Sequence, residues 1–334
     1  VTKFAKFAHP SDKSQGIVSP ERPTGLVEGD RFDPSVGVEV VAWKYFYHLP
    51  FYRQQDLFAG SGWTPSRSTL QNLEAAVEFT LRPLAEYLRD LVKQDRTIGC
   101  DDTGLLLITP KSMPDLRDHP RGERIGEVLE KAIASGKPSI NAKVWGYYAS
   151  RLPVVAFDFT VSRHRDGPDE VLADFEGNVL GDCWSGFQKI DVRSDARITF
   201  AACWAHARRK LKEIFDRDGS EIAAEGLRRI AEFYAIEKDI RGTSPGQRLS
   251  ARRARSAPLV AAFGTWLQAQ RMRISAKSRL GEKLAYIHRH WDGLQTFLTD
   301  GRVEIDSNKV ENLVRPIALN RKNALFAGHA EGGK

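Results

Sequence analysis

The 334-residue chain is poor in cysteine and has no long apolar run. Its three cysteines, Cys100, Cys183 and Cys203, are too few and too scattered for a disulfide framework, and their odd number favours reduced thiols. No stretch reaches the roughly 18 apolar residues that a membrane span needs, and nothing near the start resembles a signal peptide. These shortages argue against secreted disulfide-rich and membrane-spanning proteins, so the sequence predicts a cytoplasmic globular protein.

The charges are unequal: 50 Lys and Arg residues against 43 Asp and Glu residues give a formal net charge of +7. An excess of this size modestly favours a polyanionic partner such as nucleic acid. With 41% hydrophobic residues, the chain can bury a sizeable core and is long enough for two or more domains. Neither a P-loop nor a G-x-S-x-G motif occurs, so neither ATP use nor a serine nucleophile is indicated.

The first part of the chain divides by composition. Residues 1–36 are rich in Pro, Gly, Ser and charge, which predicts a linker or a loosely packed extension. Residues 37–95 have helical spacing: two short helices, a Gly-containing turn, and a third helix with Thr64 as its N-cap and Pro65 at its first position. This order favours a helix-turn-helix that places Arg67 and Gln71 against DNA. Three helices packed only for structure give the same pattern.

The remaining residues predict an α/β fold. Residues 96–216 contain runs of strand character in the order strand, strand, strand, helix, strand, which indicates a mixed sheet. The polar stretch 110–141 between the first two strands has no assigned role. Residues 217–300 return to helical spacing and predict an all-helical insertion, after which residues 301–334 complete the core. The last segment is expected to begin a helix after Asp306 and to kink or stop near Pro316.

Three acids stand out against this background. The strand "TIGCDDTGLLLIT" (97–109) contains Asp101 and Asp102, although Asp is depleted in strands and is costly to bury without a partner, which could be a cation. A solvated strand end or a turn before Gly104 would also explain the pair. Asp182 ends a later strand and Glu311 lies on a helix after the insertion. Carboxylates that converge from separate elements are the ligands that two hard cations need for phosphoryl transfer.

Four segments resemble, in order, the signature blocks of bacterial transposases of the insertion sequence 66 family: "CDDTG", "LGDCWSGF", "AACWAHARRKL" and "EIDSNKVENLVRPIALNRKNALFAG". The helical segment upstream is also similar, so the resemblance spans residues 37–333. It implies a ribonuclease-H-like core that cuts and joins DNA with a DDE triad and two Mg²⁺ or Mn²⁺ ions. Carried over by position, the triad is Asp101, Asp182 and Glu311. Since successive side chains of a strand point to opposite faces, Asp102 is then expected to point away from the metals and to be a neighbouring or a solvated acid.

The resemblance implies further properties of the chain. It predicts a multimer on element ends and target DNA, in the bacterial cytoplasm and associated with the nucleoid. A zinc-binding and coiled-coil region is expected before residue 1 and a short domain after residue 334, so the chain is interpreted as a fragment. Family members carry Arg after the catalytic Glu, whereas Asn312 stands here. Arg315, at i+4 from Glu311, could take over that role.

Basic residues beside these blocks are the candidate DNA contacts. Phosphate contacts position DNA without reading its sequence, and the residues in question are His206, Arg208, Arg209, Lys210, Arg315, Arg321 and Lys322. A solvated basic helix face gives the same pattern. Arg248, Arg252 and Arg255 in the insertion are further phosphate candidates. Trp184 could stack on a frayed base, although packing is the commoner role of an aromatic residue beside a strand end.

Cys203 and His206 have a Cys-x-x-His spacing that could belong to a zinc site with Cys100 and Cys183. Scattered single cysteines are not typical of structural zinc, so Cys203 is predicted to be a core thiol. Two alternatives to the transposase remain open. One is a truncated or repurposed DNA-binding protein without catalysis, and the other is a ribonuclease-H-like hydrolase that never joins strands.

Overall fold

The structure is a computed structural model that describes residues 5–19, 25–27, 31–117, 119, 121–187, 189–323 and 327. It divides into two compact units, Val1–Leu84 and Ala85–Lys334. Within the described residues, no helix combines the length and the apolar character needed to cross a membrane. The expectations for residues 324–326 and 328–334 fall outside the described part.

The first unit contains a small ribbon and a group of helices. Strands β1 (Phe7–Ala8) and β2 (Ile17–Val18) pair antiparallel, on either side of a 3-10 turn at Lys13–Gln15. The helices are α1 (Pro34–Tyr45), α2 (Phe51–Gly60) and α3 (Arg67–Lys93), whose C-terminal part belongs to the second unit. Val40, Leu70 and Leu73 form the centre of their apolar core. The two short helices and the third helix are therefore present as predicted.

Helix α3 begins later than the sequence suggested. The Oγ of Ser66 accepts a hydrogen bond from the backbone N–H of Thr69 at 3.0 Å, which makes Ser66 the capping residue. The prediction of Thr64 as N-cap and Pro65 as first helical residue is wrong, because Ser66 provides the stronger local cap. Arg67 and Gln71 lie exposed in the first turns of α3.

A five-stranded mixed sheet is the centre of the second unit. Its strands are β3 (Thr97–Ile108), β4 (Ser139–Ala149), β5 (Val155–Thr160), β6 (Gly177–Gly181) and β7 (Ile198–Ala202). The strand order is β5-β4-β3-β6-β7, with antiparallel pairing on the β4 side of β3 and parallel pairing on the β6 side. The predicted α/β class and mixed sheet are confirmed.

Helices connect and cover these strands. They are α4 (Gly122–Ala134), α5 (Asp166–Val171), α6 (Ile190–Arg193) and α7 (Trp204–Asp218), with a 3-10 turn at Ser185–Phe187. Helix α4 lies in the stretch 110–141, to which the sequence assigned no role. Ile125 and Leu129 of α4 are buried in one cluster with Leu107 of β3, so this helix packs on the sheet.

Five more helices and a π-helical segment follow α7. They are α8 (Glu221–Asp239), α9 (Pro245–Ala251), the π segment Arg252–Ser256, α10 (Ala257–Arg273), α11 (Arg279–Arg289) and α12 (Trp291–Gln295), and a 3-10 turn covers Thr296–Leu298. Trp204 of α7 is fully buried with Phe233 and Phe263 in one core. This helical region thus packs against the end of the sheet through α7.

Two of the three arginines predicted to contact phosphate in this region, Arg248 and Arg252, are used inside the protein, while Arg255 is exposed. Arg252 is fully buried, donates to both carboxylate oxygens of Glu237 at 2.7 Å, and donates to backbone carbonyls of the segment 297–303. Arg248 pairs with Glu304 at 2.8 Å. The interpretation of Arg252 as a DNA contact is wrong, because its guanidinium is used inside the protein.

Helix α13 (Asn308–Asn323) completes the second unit and lies on β3 and β4. Its close approach needs a glycine: a Cβ on Gly146 would lie 2.9 Å from Val314 Cγ2 and 3.5 Å from Val310 Cγ2. The helix continues through Pro316, so the predicted stop near that residue is not observed. The side chain of Asp306 accepts from the N–H of Asn308, as the predicted helix start requires.

Candidate active site

Asp101 and Asp102 lie in the middle of β3 and point to opposite faces of the sheet. Asp101 is paired with Gly146 across the β3–β4 ladder, and residues opposite each other share a face. Gly146 is covered by α13, so Asp101 faces that helix. Asp102 is opposite Trp145 and therefore faces the other side.

The surroundings of Asp101 disfavour its charged form. Burial, followed by the negative charge of Glu311, raises the pKa of Asp101 from 3.8 to about 7. Glu311 lies in the first turn of α13, where the helix N-terminus favours a carboxylate. The helix thus brings a second carboxylate to Asp101 across a long separation in sequence.

Asp102 is buried and paired with two cations. Its side chain is 3% exposed, its Oδ2 lies 2.9 Å from Nζ of Lys143, and its Oδ1 accepts from Nε of Arg163 at 2.8 Å. The compensating cation expected for a buried mid-strand acid is therefore present at this aspartate. Two roles were expected for Asp102, a neighbouring or a solvated acid, and the solvated one is wrong, because Lys143 and Arg163 reach its carboxylate from other parts of the chain.

Asp182 directly follows β6 and is also bound to Arg163. The guanidinium of Arg163 donates to Oδ2 of Asp182 at 2.8 Å, so it bridges Asp102 and Asp182. The other oxygen of Asp182 accepts from the N–H of Trp184 at 3.1 Å. The Trp184 ring packs on Trp145 with 5.1 Å between centroids, in agreement with the packing role, and lies 5.1 Å from the Arg163 guanidinium carbon.

Glu311 has neighbours from two other elements. Its Oε1 lies 3.8 Å from Nδ1 of His206 and accepts from Oγ of Ser307 at 3.0 Å, while its Oε2 lies 3.8 Å from Arg209. Burial lowers the pKa of His206, and the charge of Glu311 partly opposes this effect. Cys203, at the end of β7, places its sulfur within 4.8 Å of the ligand atoms of both His206 and Glu311.

The three predicted acids lie close enough for their charges to interact. Asp101, Asp182 and Glu311 come from β3, the end of β6 and α13, and the charges of both Glu311 and Asp182 act on Asp101. Asp182 and Glu311 also act on His206. Among the described residues, however, the group of three potential ligands within 4.8 Å of one another is Cys203, His206 and Glu311.

The predicted DNA contacts of the second unit are mostly at the surface. Arg208, Arg209, Arg315 and Lys322 are exposed, and the Nζ of Lys210 lies 5.2 Å from the Tyr286 ring centroid. Arg321 is fastened to β3 by a hydrogen bond to Oγ1 of Thr103 at 3.3 Å. Within the described part of the chain Arg315 makes no ion pair with Glu311, whereas Arg209 lies 3.8 Å from its Oε2.

In the first unit, the predicted contacts sit at the start of α3. Arg67 donates through Nε to Oε1 of Gln55 in α2 at 3.2 Å, and Gln55 in turn donates to the carbonyl of Pro65. These bonds orient the Arg67 side chain along the turn between the two helices. Gln71 lies one turn further along α3 and is exposed.

Sequence reasoning missed Arg163, Lys143 and Ser307. Arg163 follows the end of β5 in a run of basic residues without a distinguishing spacing, and Lys143 sits two residues from Trp145 in β4. Neither position marks a partner of Asp102 until the strands are paired. Ser307 precedes α13 and looks like an ordinary helix-start residue.

Comparison with known proteins gives a consistent result. A family model described as "Transposase IS66 family" matches residues 29–116 and 130–334. Two uncharacterized proteins of Sinorhizobium fredii, y4jD and y4qI, are 31% and 29% identical over 96% and 100% of this chain. A third, y4hP, is 31% identical over 90% of it. The chain covers 60%, 59% and 53% of these relatives, so it spans less than two thirds of their length.

Proposed function

The chain belongs to the IS66 transposase family, and from that premise we propose that it cleaves DNA and transfers the cut strand with Asp101, Asp182 and Glu311 as the catalytic acids. Transposition of an insertion sequence requires both steps. The observation that carries the proposal is that the charge of Glu311, on α13, acts on Asp101 in β3. Burial and this charge raise the pKa of Asp101 to about 7, so its ionised form is unfavourable without a cation. The proposed fold of the core is ribonuclease-H-like, with the mixed sheet and the helical insertion before Glu311 as its support.

The donor set fits hard divalent cations. Three carboxylates from separate elements offer the oxygen ligands that Mg²⁺ and Mn²⁺ prefer. Burial first, and then the charge of Glu311, raise the pKa of Asp101, and a bound cation would offset both effects. Two such ions supply activation of the attacking oxygen and stabilisation of the leaving oxygen. We assign Asp101, Asp182 and Glu311 as their ligands.

The protein's own side chains contribute position and charge. Arg163 holds Asp182 and Asp102 together and must release Oδ2 of Asp182 for that oxygen to serve as a ligand. Lys143 keeps Asp102 neutralised when Arg163 moves. Helix α7 contributes Arg208, Arg209 and Lys210, and helix α13 contributes Arg315, Arg321 and Lys322. Together with His206 they form the proposed phosphate-binding surface.

The proposed division of labour along the chain follows the sequence segments. Residues 37–95 bind DNA, with Arg67 and Gln71 at the start of α3 as contacts. Residues 96–216 and 301–334 form the catalytic core, and residues 217–300 form the helical insertion. Transposases of this kind join two element ends, so we propose that the protein acts as a homo-oligomer on DNA.

The test is metal-dependent nicking of supercoiled plasmid DNA in Mg²⁺ or Mn²⁺. Asp101→Asn, Asp182→Asn and Glu311→Gln should each lower the rate at least about 100-fold while DNA binding persists. Matched controls on the exposed side of α7, Glu213→Gln and Asp216→Asn, should keep the wild-type rate. Salt-dependent DNA binding by the wild-type chain with no metal-dependent nicking would support the non-catalytic alternative instead.

Strand transfer needs a separate assay. A pre-cut DNA end with a free 3′-hydroxyl group, offered with target plasmid, should be joined to the target by the wild-type chain and not by Glu311→Gln. Nicking without joining would indicate the hydrolase alternative.

A further inference from the structure

A second donor cluster shares Glu311 with the proposed catalytic acids. It consists of the sulfur of Cys203, the imidazole of His206 and the carboxylate of Glu311, and all three ligand atoms lie within 4.8 Å of one another. Cys203 precedes α7 and His206 lies in its first turn, which explains the Cys-x-x-His spacing. The third donor comes from α13, so the spacing alone did not reveal the cluster.

The imidazole of His206 has an incomplete set of contacts. Its Nδ1 is shielded from solvent and finds no hydrogen-bond partner among the described residues. Oε1 of Glu311 lies 3.8 Å from this nitrogen, which is too far for a hydrogen bond. A nitrogen and a carboxylate oxygen at this separation can both bind one cation placed between them, since metal–ligand bonds are about 2.0–2.2 Å long.

Ser307 holds the other two donors in place. Its N–H donates to the sulfur of Cys203 at 3.3 Å and its hydroxyl donates to Oε1 of Glu311 at 3.0 Å. Burial raises the pKa of the Cys203 thiol, and the hydrogen bonds from Ser307 act against that rise. Hydrogen bonds of this kind orient metal ligands and raise metal affinity.

We propose that Cys203, His206 and Glu311 form a zinc-binding site. A thiolate, an imidazole and a carboxylate form a donor set that suits Zn²⁺, whereas Mg²⁺ takes oxygen ligands almost exclusively. Three protein ligands leave the fourth tetrahedral position open. The site is therefore chemically distinct from the all-carboxylate triad, although the two use the same glutamate.

Sharing Glu311 has a regulatory consequence, which rests on the proposed function. Zn²⁺ on Cys203 and His206 draws Glu311 away from Asp101, so it inhibits Mg²⁺-dependent DNA cleavage. Cys203→Ser should retain cleavage in Mg²⁺ and should need at least tenfold more Zn²⁺ for half-inhibition.

The direct test uses Co²⁺ as a spectroscopic probe of the metal-free chain. The wild-type protein should bind one equivalent with the visible bands of a tetrahedral site and a near-ultraviolet thiolate-to-cobalt band, and Zn²⁺ should displace it. The thiolate band should vanish in Cys203→Ser and persist in Cys183→Ser, the matched cysteine control. Ser307→Ala should weaken Zn²⁺ binding about 10–100-fold.

Two results would overturn the proposal. One is the absence of a thiolate-to-cobalt band in the wild-type chain, and the other is an unchanged band in Cys203→Ser. Because Cys203 is fully buried, His206→Asn provides a second variant with less risk to folding, and it should lower Zn²⁺ affinity at least tenfold. The cobalt spectrum needs no DNA, so a chain that binds Co²⁺ but cleaves nothing would contradict the proposed function and leave the zinc site intact.

Discussion

Replacing Asp101 with asparagine should stabilise the metal-free protein at neutral pH. The side chain is largely buried beside Glu311, and these two facts raise its pKa from 3.8 to about 7. Asparagine has nearly the same shape and carries no charge. The variant therefore removes the cost of ionising a carboxyl group at this position.

The sign and the size follow from proton linkage. As pH rises above 3.8, the unfolded chain loses the Asp101 proton first, so the unfolded state becomes more favourable relative to the folded state until the folded state ionises near pH 7. Stability is thus lost between about pH 4 and pH 7 and is constant above that window. At about 1.4 kcal/mol for each tenfold change in acid constant, the largest possible loss is about 4 kcal/mol.

Denaturant unfolding in EDTA at pH 4.5, 6 and 8 measures this effect. The stability of Asp101→Asn relative to wild type should rise from pH 4.5 to about pH 7 and then level off. Asp216→Asn, an exposed acid paired with Lys212 on α7, should change stability by less than about 1 kcal/mol at every pH. Parallel pH profiles for wild type and Asp101→Asn would refute the reasoning.

Two further predictions concern packing. Glu237→Gln leaves the buried Arg252 guanidinium without its counter-charge and should cost about 3–5 kcal/mol in thermal or denaturant unfolding. Asp239→Asn on the same helix breaks only an exposed ion pair and should cost under about 1 kcal/mol. Equal effects of the two variants would contradict the burial argument. Gly146→Ala places a Cβ 2.9 Å from Val314 and should weaken Mn²⁺ binding by displacing α13. Gly99→Ala places its Cβ 3.6 Å from Val310 and should leave Mn²⁺ binding unchanged, so Mn²⁺ titrations of the two variants should differ clearly.

The sheet was predictable because its strands carry clear apolar runs. The strand around Asp101, the strand that ends at Asp182 and the helix after Asp306 all occur where the sequence places them. Helix α4 was missed, although Ile125 and Leu129 have helical spacing, because charged residues and glycines surround them. Local pattern thus located the strands better than the short helix between them.

The partners of the acids were not predictable in the same way. Asp102 meets Lys143 and Arg163 only through strand pairing, which brings distant residues together. Arg252 lies in a basic run typical of a DNA-binding surface, yet Glu237 and three backbone carbonyls draw it into the core. In both cases the partner is set by tertiary contacts, which a local sequence pattern does not contain.

The most direct test of the central claim is anomalous diffraction from crystals soaked in Mn²⁺. The account predicts manganese bound by Asp101 and Asp182, with Glu311 as a ligand or within a small shift of α13, and with Arg163 withdrawn from Asp182. Crystals with no manganese at Asp101, and with Arg163 still bridging Asp102 and Asp182 at saturating Mn²⁺, would contradict the assignment of these acids as the metal-binding triad.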